Sequence, residues 1–264
     1  MGVWEYGGFV TPTHPYTHTP ILVGESMGAK EILESGAAEL GVKLDENQLD
    51  AFDRYTALLL EWNRKFNLTR ITEPDEIAVK HYVDSLAALK FVRIPPGSKL
   101  IDVGTGAGFP GIPLKIAVPG LKLTLLDSVK KRLTFLEAVV QEIALPDVCI
   151  VHGRAEDAAQ DRAHRATYDF SVSRAVARLN VLCELCMPFC RTGGKFIAYK
   201  GSDVDEEVEE ARKAISILGG KLDAVHKFTL PESDLQRSLV IVGKTEQTPR
   251  AYPRKAGTPE RQPL

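Results

Sequence analysis

Residues 100–111 read LIDVGTGAGFPG, and this stretch constrains the fold more than any other part of the chain. An apolar strand is predicted up to Asp102, and Pro110 suits the first turn of a helix. Between them, glycine occupies every second position: Gly104, Gly106 and Gly108. Glycine permits positive φ and lets a ligand approach the backbone, while the first N–H groups of a helix are free to bind it. The pattern therefore predicts a strand, a glycine turn and a helix around a nucleoside cofactor.

Two cofactors fit this turn, because Gly106, Gly108 and Gly111 also satisfy the G-x-G-x-x-G pattern of dinucleotide sites. Asp127 closes the next apolar segment, and a carboxylate there accepts hydrogen bonds from the ribose of either cofactor. Asp102 favours S-adenosylmethionine, because its carboxylate suits the ammonium group of a methionine moiety and would repel a pyrophosphate. An NAD-dependent oxidoreductase is the alternative enzyme.

The composition is that of an ordinary globular protein: 44% of the 264 residues are hydrophobic and 26% are charged. No apolar run reaches the ~20 residues that a membrane helix needs, and the N-terminus lacks the pattern of a signal peptide. The four cysteines do not suggest a secreted disulfide framework. We expect a cytoplasmic protein that is monomeric and has no membrane partner.

The chain divides into four predicted regions. Residues 1–26 have no hydrophobic periodicity and are expected to be a disordered extension. Residues 27–92 predict an N-terminal cap of three helices, the longest of them capped by Asp45, which should pack beside the glycine turn. Residues 93–245 alternate strands and helices, and residues 246–264 form a basic, proline-rich tail.

Repeated β–α units in residues 93–245 predict an α/β fold, in which a mostly parallel sheet carries helices on both faces. The last two strands, at 221–229 and 238–244, are joined by a short loop and predict an antiparallel C-terminal hairpin. Five units and this hairpin suit the Rossmann-like, seven-stranded fold of class I S-adenosylmethionine-dependent methyltransferases. A dehydrogenase would need a further substrate domain.

Cys183, Cys186 and Cys190 have a spacing that suggests zinc or an iron–sulfur cluster as one interpretation. Their order is the reverse of the C-x-x-x-C-x-x-C motif of radical S-adenosylmethionine enzymes. The three positions also share one face of an apolar helix, and free cysteine is commonly a small buried hydrophobe. We therefore expect core residues and no metal site.

Two further segments border the predicted crevice. Ala155 and Glu156 follow the third strand, where an N–H and a carboxylate can address the edge of an adenine; a capping role for the acid is the alternative. Arg174 follows the fourth strand, at the edge where such sheets bind ligands. The segment around it lacks the Asn/Asp-Pro-Pro-aromatic motif of amino-group methyltransferases. A guanine N7 needs neither that motif nor a general base, because its lone pair is already exposed.

Several segments, taken in order, closely resemble the family of bacterial small-subunit rRNA guanine-N7 methyltransferases G. They lie at 67–69, 80–85, 102–111, 154–156, 173–177 and 252–259. The resemblance extends over about residues 28–264 and implies S-adenosylmethionine as cofactor and a target guanine in 16S rRNA of the small ribosomal subunit. It also implies cofactor contacts at Gly104, Phe109, Ala155, Glu156 and Arg174. A nucleotide-sensing RNA-binding module with a degenerate site is the non-enzyme alternative.

The predicted reaction is an in-line attack of guanine N7 on a sulfonium methyl group, in which catalysis consists mainly of positioning. The predicted cofactor set is Asp102, Gly104, Gly106, Gly108, Phe109, Asp127, Ala155, Glu156 and Arg174. Asp127 is expected to hold the ribose and Asp102 the methionine end. Arg174 orients either the guanine or the cofactor carboxylate, and the sequence leaves both roles open. No catalytic acid or base is predicted.

Residues 244–264 carry five cationic and two acidic side chains, a net charge of +3, together with four prolines. Prolines favour an extended chain, and an extended basic arm can follow a phosphate backbone. A frayed terminus is one alternative, and a segment that folds back to brace the edge of the sheet is another.

Overall fold

The computed structural model describes Met1 and residues 27–264, so the extension predicted at residues 1–26 lies almost entirely outside the described residues. Within them, strands and helices alternate as the sequence predicts. The strands are β1 (Lys99–Val103), β2 (Lys122–Asp127), β3 (Val148–His152), β4 (Tyr168–Arg174), β5 (Cys190–Lys200), β6 (Gly220–Thr229) and β7 (Gln236–Lys244). The helices are α1 (Ala29–Glu39), α2 (Glu46–Phe66), α3 (Pro74–Ile77), a π-helix (Ala78–Val83), α4 (Asp84–Leu86), α5 (Ala88–Phe91), α6 (Gly111–Ala117), α7 (Lys130–Glu142), α8 (Ala155–Ala158), α9 (Leu179–Cys186), a 3₁₀-helix (Met187–Phe189), α10 (Asp205–Ile217) and α11 (Thr258–Arg261).

The strands form one seven-stranded sheet in the order β3-β2-β1-β4-β5-β7-β6. β1 to β5 pair in parallel, whereas β7 runs antiparallel to both β5 and β6. The predicted α/β fold with a mostly parallel sheet and an antiparallel C-terminal hairpin is confirmed. The strand order reverses between β1 and β4, and in open α/β sheets ligands bind at such a position, outside the carboxyl ends of the strands.

Side chains that alternate along the strands fill two hydrophobic cores, one on each face of the sheet. On β1, Leu100 joins the core beneath α2, α6 and α7, while Ile101 joins the core beneath α9 and α10. Burial on both faces explains why the central strands are almost continuously apolar. In the described part of the chain, no helix combines the length and the apolar character that crossing a membrane requires.

The N-terminal helices pack directly on the glycine turn, as predicted. α2 begins with a capping box, in which Asp45 accepts from the Gln48 N–H at 2.9 Å and the Gln48 side chain accepts from the Asp45 N–H at 2.8 Å. From the middle of α2, the Tyr55 hydroxyl donates to the carbonyl of Ala107 in the turn. The Tyr55 ring also stacks on Phe109 with 5.5 Å between the ring centroids. These helices share one core with the sheet.

We expect Asp45→Ala to lower the free energy of unfolding by about 1 kcal/mol, because the N–H groups of the first turn of α2 lose their acceptor. Urea unfolding measures this change. Glu61→Ala is the control, since Glu61 is an exposed acid of the same helix and its loss should alter stability by less than about 0.5 kcal/mol. Equal effects of the two substitutions would contradict the capping role.

Cys183, Cys186 and Cys190 are buried free thiols in the core beneath α9 and α10. Burial raises the pKa of the Cys190 thiol to about 12, which keeps it protonated and makes it a poor metal ligand. Among the described residues, no group of three or more His, Cys, Asp or Glu side chains is arranged to hold a metal ion. The prediction that these cysteines are core residues is confirmed.

The tail at residues 246–264 folds back against the protein, so the prediction of an extended arm is wrong. It contains the short helix α11 and is held through its backbone: Arg165 Nη2 donates to the Thr248 carbonyl at 2.8 Å. Arg254 forms an ion pair with Glu184 at 2.6 Å. Proline removes an N–H donor but leaves the carbonyl acceptors of the chain available, and the guanidinium of Arg165 donates to several of them here. The tail folds back, as one alternative predicts, but these contacts are with α9 and with Arg165 before β4 rather than with an edge strand of the sheet.

Candidate active site

A cavity of about 460 Å³ lies at the carboxyl ends of β1, β2 and β4, beside the reversal of strand order. Its volume is in the range of small-molecule sites. Most of the predicted cofactor residues line it: Gly104, Gly106, Phe109, Asp127, Ala155, Glu156 and Arg174. Asp102 and Gly108 do not. Residues from four separate parts of the chain are therefore brought to one cavity, as the parallel sheet requires.

The glycine turn uses backbone conformations that a side chain would strain. Gly104 has a φ of 72° and Gly106 a φ of 63°, both in the left-handed region that favours glycine. A Cβ on Gly104 would come within 2.7 Å of the Val176 side chain. Because Gly104 has no side chain, the turn after β1 can lie close to Val176 in the loop after β4, and both residues line the cavity.

Asp127 ends β2 and is only 3% exposed, yet it lines the cavity. Its Oδ1 accepts from the Val129 N–H at 2.8 Å, and its Oδ2 accepts from the Gly106 N–H at 2.9 Å. Arg132 approaches the same Oδ2 at 3.3 Å. A carboxylate can accept about four hydrogen bonds, so acceptor capacity is left for a ligand in the cavity. The carboxylate is held at the position where the sequence predicts the ribose-binding acid.

Asp102 is fully buried, so the structure does not support its predicted contact with the methionine end of a cofactor. Its Oδ2 accepts from the Thr105 hydroxyl at 2.7 Å and from the Gly111 N–H at 2.8 Å, which ties β1 to the glycine turn and to α6. Its Oδ1 is buried without a partner, and burial raises the pKa of this carboxyl to about 6. The sequence locates this acid at the end of β1, but the direction of its carboxylate depends on how the turn folds over it.

Gly108 faces the N-terminal helices rather than the cavity, which corrects its predicted place in the cofactor set. A Cβ there would lie 2.5 Å from the Tyr55 hydroxyl and 2.7 Å from the Ile112 side chain. Its φ of 98° also favours glycine. The residue therefore allows α2 and α6 to pack tightly against the turn.

Arg174, at the end of β4, is held by Asp84 and by the ring of Phe109. Its Nη1 donates to Asp84 Oδ2 at 2.7 Å, in an ion pair whose side chains are 13% and 8% exposed. The guanidinium carbon lies 5.1 Å from the centroid of the Phe109 ring, within the range of cation–π contacts. Arg237 donates to the other oxygen of Asp84 at 3.2 Å. Asp84 thus fixes Arg174 at the cavity wall, a role that sequence analysis missed.

His81 is a second residue that sequence analysis did not assign to the site. It lies in the π-helix, lines the cavity and stacks on Phe109 with centroids 4.4 Å apart and an interplanar angle of 14°. Burial and the charge of Arg174 lower the pKa of His81 to about 3, so the ring is neutral near pH 7. π-Helical turns are often found at functional sites, but they leave no pattern in a sequence. His81 lies in segment 80–85, which resembles the family, but that resemblance does not indicate which of its side chains face the cavity.

Glu156 lies in α8 beside Ala155 at the far side of the cavity, and it is 8% exposed. Its Oε1 accepts a hydrogen bond from the backbone N–H of Gly257 in the tail at 2.9 Å. Pro259 and Glu260, also in the tail, contribute to the cavity wall. The cavity is therefore closed on this side by the C-terminal segment, which sequence analysis assigned to RNA.

A second cavity of about 310 Å³ adjoins the first and shares Arg174 and Ala175 with it. It opens beside the end of β5 and the start of β7, where Lys200 and Arg237 line it. Lys200 is paired with Glu207 at 2.6 Å. Two cavities thus meet at Arg174, and the cations of the second are paired with Asp84 or Glu207, which also line it.

The family comparison decides which protein class this site belongs to. A family model described as GidB, rRNA small subunit methyltransferase G, matches residues 48–240. The chain belongs to this family. A ribosomal RNA small subunit methyltransferase G from Alkaliphilus metalliredigens is 51% identical, over 90% of this chain and 100% of its own length. Another from Desulforamulus reducens is 50% identical, over 88% of this chain and 97% of its own length.

Solved structures with the same fold have low sequence identity to this chain. One is found in the complex between the Haloferax volcanii Trm112 methyltransferase activator and a methyltransferase, with a TM-score of 0.52 and 15% identity over 71% of this chain and 98% of that chain. A mutant of MtNAS has a TM-score of 0.51 and 16% identity over 83% of this chain and 86% of that chain. These likenesses concern the fold alone. They agree with the predicted class I methyltransferase fold. The family membership makes the chain a methyltransferase, and its methyl donor is S-adenosylmethionine.

Proposed function

We propose that this chain transfers a methyl group from S-adenosylmethionine to N7 of a guanine in 16S rRNA of the small ribosomal subunit. The observation that carries the proposal is the junction at Arg174, where the cavity lined by the glycine turn meets a second cavity. A transferase needs such a junction, because donor and acceptor must approach along one line. Membership of the rRNA small subunit methyltransferase G family supports rRNA as the acceptor.

The first cavity has the donor and acceptor groups that S-adenosylmethionine requires. Asp127 presents a fixed carboxylate to the ribose hydroxyls, and Gly104 lets the backbone approach the ligand closely. At the opposite side, Glu156 and the backbone of Ala155 address the adenine. The bound cofactor supplies a methyl group already activated by the sulfonium charge, so the protein has to bind and orient rather than activate.

We infer that Arg174 orients the guanine rather than the carboxylate of the cofactor. Its guanidinium is fixed by Asp84 and by the face of Phe109, and it separates the two cavities. A guanidinium in this position can donate to O6 of a guanine, which lies next to N7. We therefore assign to Arg174 the alignment of the acceptor nitrogen with the methyl group.

Methylation at N7 also explains why no base is required. The N7 lone pair forms the new carbon–nitrogen bond while the carbon–sulfur bond breaks and its electron pair moves to sulfur, so no proton is lost and the positive charge passes to the guanine. His81 is a weak base here, because its pKa is lowered to about 3. Positioning by Arg174 and Phe109 is thus the contribution that we attribute to the protein.

The experiment that tests the function is methyl transfer from labelled S-adenosylmethionine to small subunits that lack the modification, followed by mapping of the modified nucleotide. An NAD-dependent oxidoreductase would bind NADH and transfer no label. A non-catalytic RNA-binding module would bind the RNA without labelling it. Label in the RNA supports the transferase and excludes both alternatives.

We expect the product to break at a single guanine after treatment with borohydride and aniline. N7 methylation places a positive charge on the ring, which makes that nucleotide labile to these reagents. Cleavage should require both the protein and the cofactor, and subunits incubated with S-adenosylhomocysteine are the control. Labelled RNA that resists cleavage would assign the methyl group to an exocyclic amine or to a ribose instead.

An rRNA substrate also implies that the protein works in the cytoplasm, and we propose that it does so as a monomer.

Three cations of the tail are available for RNA. Arg254 is paired with Glu184, whereas Arg250, Lys255 and Arg261 are exposed. The contact of these three with RNA phosphate stays a prediction. Their replacement by alanine should make the salt dependence of RNA binding shallower, by up to about 0.7 per lost contact.

A further inference from the structure

The C-terminal tail touches the cofactor cavity at two independent places. The N–H of Gly257 donates to Glu156 Oε1 at 2.9 Å, across a separation of 101 residues. The next turn of chain, at Pro259 and Glu260, forms part of the cavity wall. A segment that the sequence presents as an RNA-binding arm therefore forms part of the wall of the cavity.

A buried ion pair anchors this segment. Both oxygens of Glu184 accept from the guanidinium of Arg254, with Nη2 at 2.6 Å and Nε at 2.9 Å from the nearer oxygens. The backbone N–H of Arg254 adds a bond to the same carboxylate at 2.8 Å. The Glu184 side chain is only 1% exposed, and a buried carboxylate that loses its partner is strongly destabilising. The ion pair therefore favours the docked position of the tail.

The backbone of Gly257 aims its N–H at Glu156. Its φ is 77°, in the left-handed region, and a Cβ there would meet only the distant end of the Arg261 side chain at 3.8 Å. Space does not require glycine at this position, so the backbone conformation is the reason for it. Gly257 lies three residues after Arg254. Its backbone conformation directs the chain from the Arg254–Glu184 ion pair to the cavity.

We propose that residues 254–260 are part of the cofactor site and set its preference for adenine. The Gly257 N–H donates to Glu156 Oε1 and thereby orients the carboxylate. Oε2 is then free to accept a hydrogen bond from the exocyclic amine of the adenine. Pro259 and Glu260 close this side of the cavity. Gly257 and Arg254 are positioning residues, since they act through Glu156. This inference rests on the proposed function, in which Glu156 addresses the adenine.

The test compares binding of two ligands by calorimetry: S-adenosylhomocysteine and S-inosylhomocysteine, in which a carbonyl replaces the exocyclic amine. The chain truncated after Ala256 keeps the Arg254–Glu184 anchor but lacks Gly257 and the wall residues. We expect it to bind S-adenosylhomocysteine about tenfold more weakly and to lose most of its preference over S-inosylhomocysteine. Gln262→Ala is the matched control, because it alters an exposed side chain within the removed segment and should change neither value.

A point variant protects the test against misfolding of the truncated chain. Gly257→Ala keeps the full length and strains the backbone at a φ of 77°, so it should reduce the same preference to a smaller extent. An unaltered preference in both variants would overturn the proposal, and so would an equal loss of affinity for both ligands, which indicates a general loss of stability. If the unmodified chain does not distinguish the two ligands, the role of Glu156 in the proposed function is wrong instead.

Discussion

Asp127→Ala should weaken binding of S-adenosylhomocysteine by roughly ten- to a hundred-fold, which corresponds to about 1.5–3 kcal/mol for a lost hydrogen bond to a charged group. The carboxylate is fixed at the end of β2 by the N–H groups of Gly106 and Val129, so it is already oriented before a ligand arrives. A preoriented acceptor binds more tightly than a mobile one because less freedom is lost on binding. Isothermal titration calorimetry measures the change.

Asp169→Ala is the matched control for this substitution. Asp169 also accepts from a backbone N–H, that of Lys99 at 2.7 Å, and from an arginine, Arg191, at 2.7 Å. It lies at the amino end of β4, away from the cavity, so its loss should leave cofactor affinity unchanged. Unchanged affinity in Asp127→Ala would remove Asp127 from the cofactor site, and an equal loss in both variants would indicate an effect on stability rather than on binding.

Asp84→Ala should lower the free energy of unfolding by about 3–5 kcal/mol and reduce methyl transfer in the fraction that stays folded. Asp84 is 6% exposed and is shared between Arg174 at 2.7 Å and Arg237 at 3.2 Å. Without Asp84, the guanidinium of Arg174 is largely shielded from solvent and has lost its carboxylate partner. The effect is a large fraction of the total stability of an ordinary domain. Urea unfolding gives the stability, and kcat/KM at low temperature gives the catalytic effect.

Glu210→Ala provides the comparison, because it breaks an ion pair of similar length on the surface. Arg178 and Glu210 approach to 2.6 Å, but their side chains are 53% and 42% exposed. Exposed pairs contribute about 0–1 kcal/mol, so this variant should be close to the unmodified protein in stability and activity. If Asp84→Ala were as mild as Glu210→Ala, Asp84 would not be the residue that holds Arg174.

Residues that follow directly from a local motif lie at the cavity as the sequence predicts, and their contact with the cofactor stays a prediction. The glycine turn and Asp127 line the cavity because a strand, a turn and the end of the next parallel strand are adjacent in any fold of this kind. Asp102 belongs to the same motif, but its carboxylate turns inward to Thr105 and Gly111 and does not line the cavity. Position along a strand can be inferred from a pattern of residues, whereas the direction of a polar side chain at the end of that strand cannot.

Residues that act through distant partners were missed. Asp84 and His81 lie in a helix that contains a π-helical turn, and their role depends on Arg174, which is 90 residues from Asp84. The basic, proline-rich composition of the tail suggests RNA binding, but it does not show that Arg254 pairs with a carboxylate of the same protein. Glu184, which neutralises Arg254, lies 70 residues before it. Neither partner is indicated by periodicity or by composition.

The alternation of strands and helices, the cavity at the glycine turn and, through ordered motifs, the family all follow from the order of the amino acids. These properties depend on residues a few positions apart, whose spacing decides which face is apolar and where the backbone can turn. The contact of Asp84 with Arg174 and that of Gly257 with Glu156 are visible in the folded protein alone. Such contacts join residues about a hundred positions apart, and they form only because packing of the sheet and helices brings their backbones together.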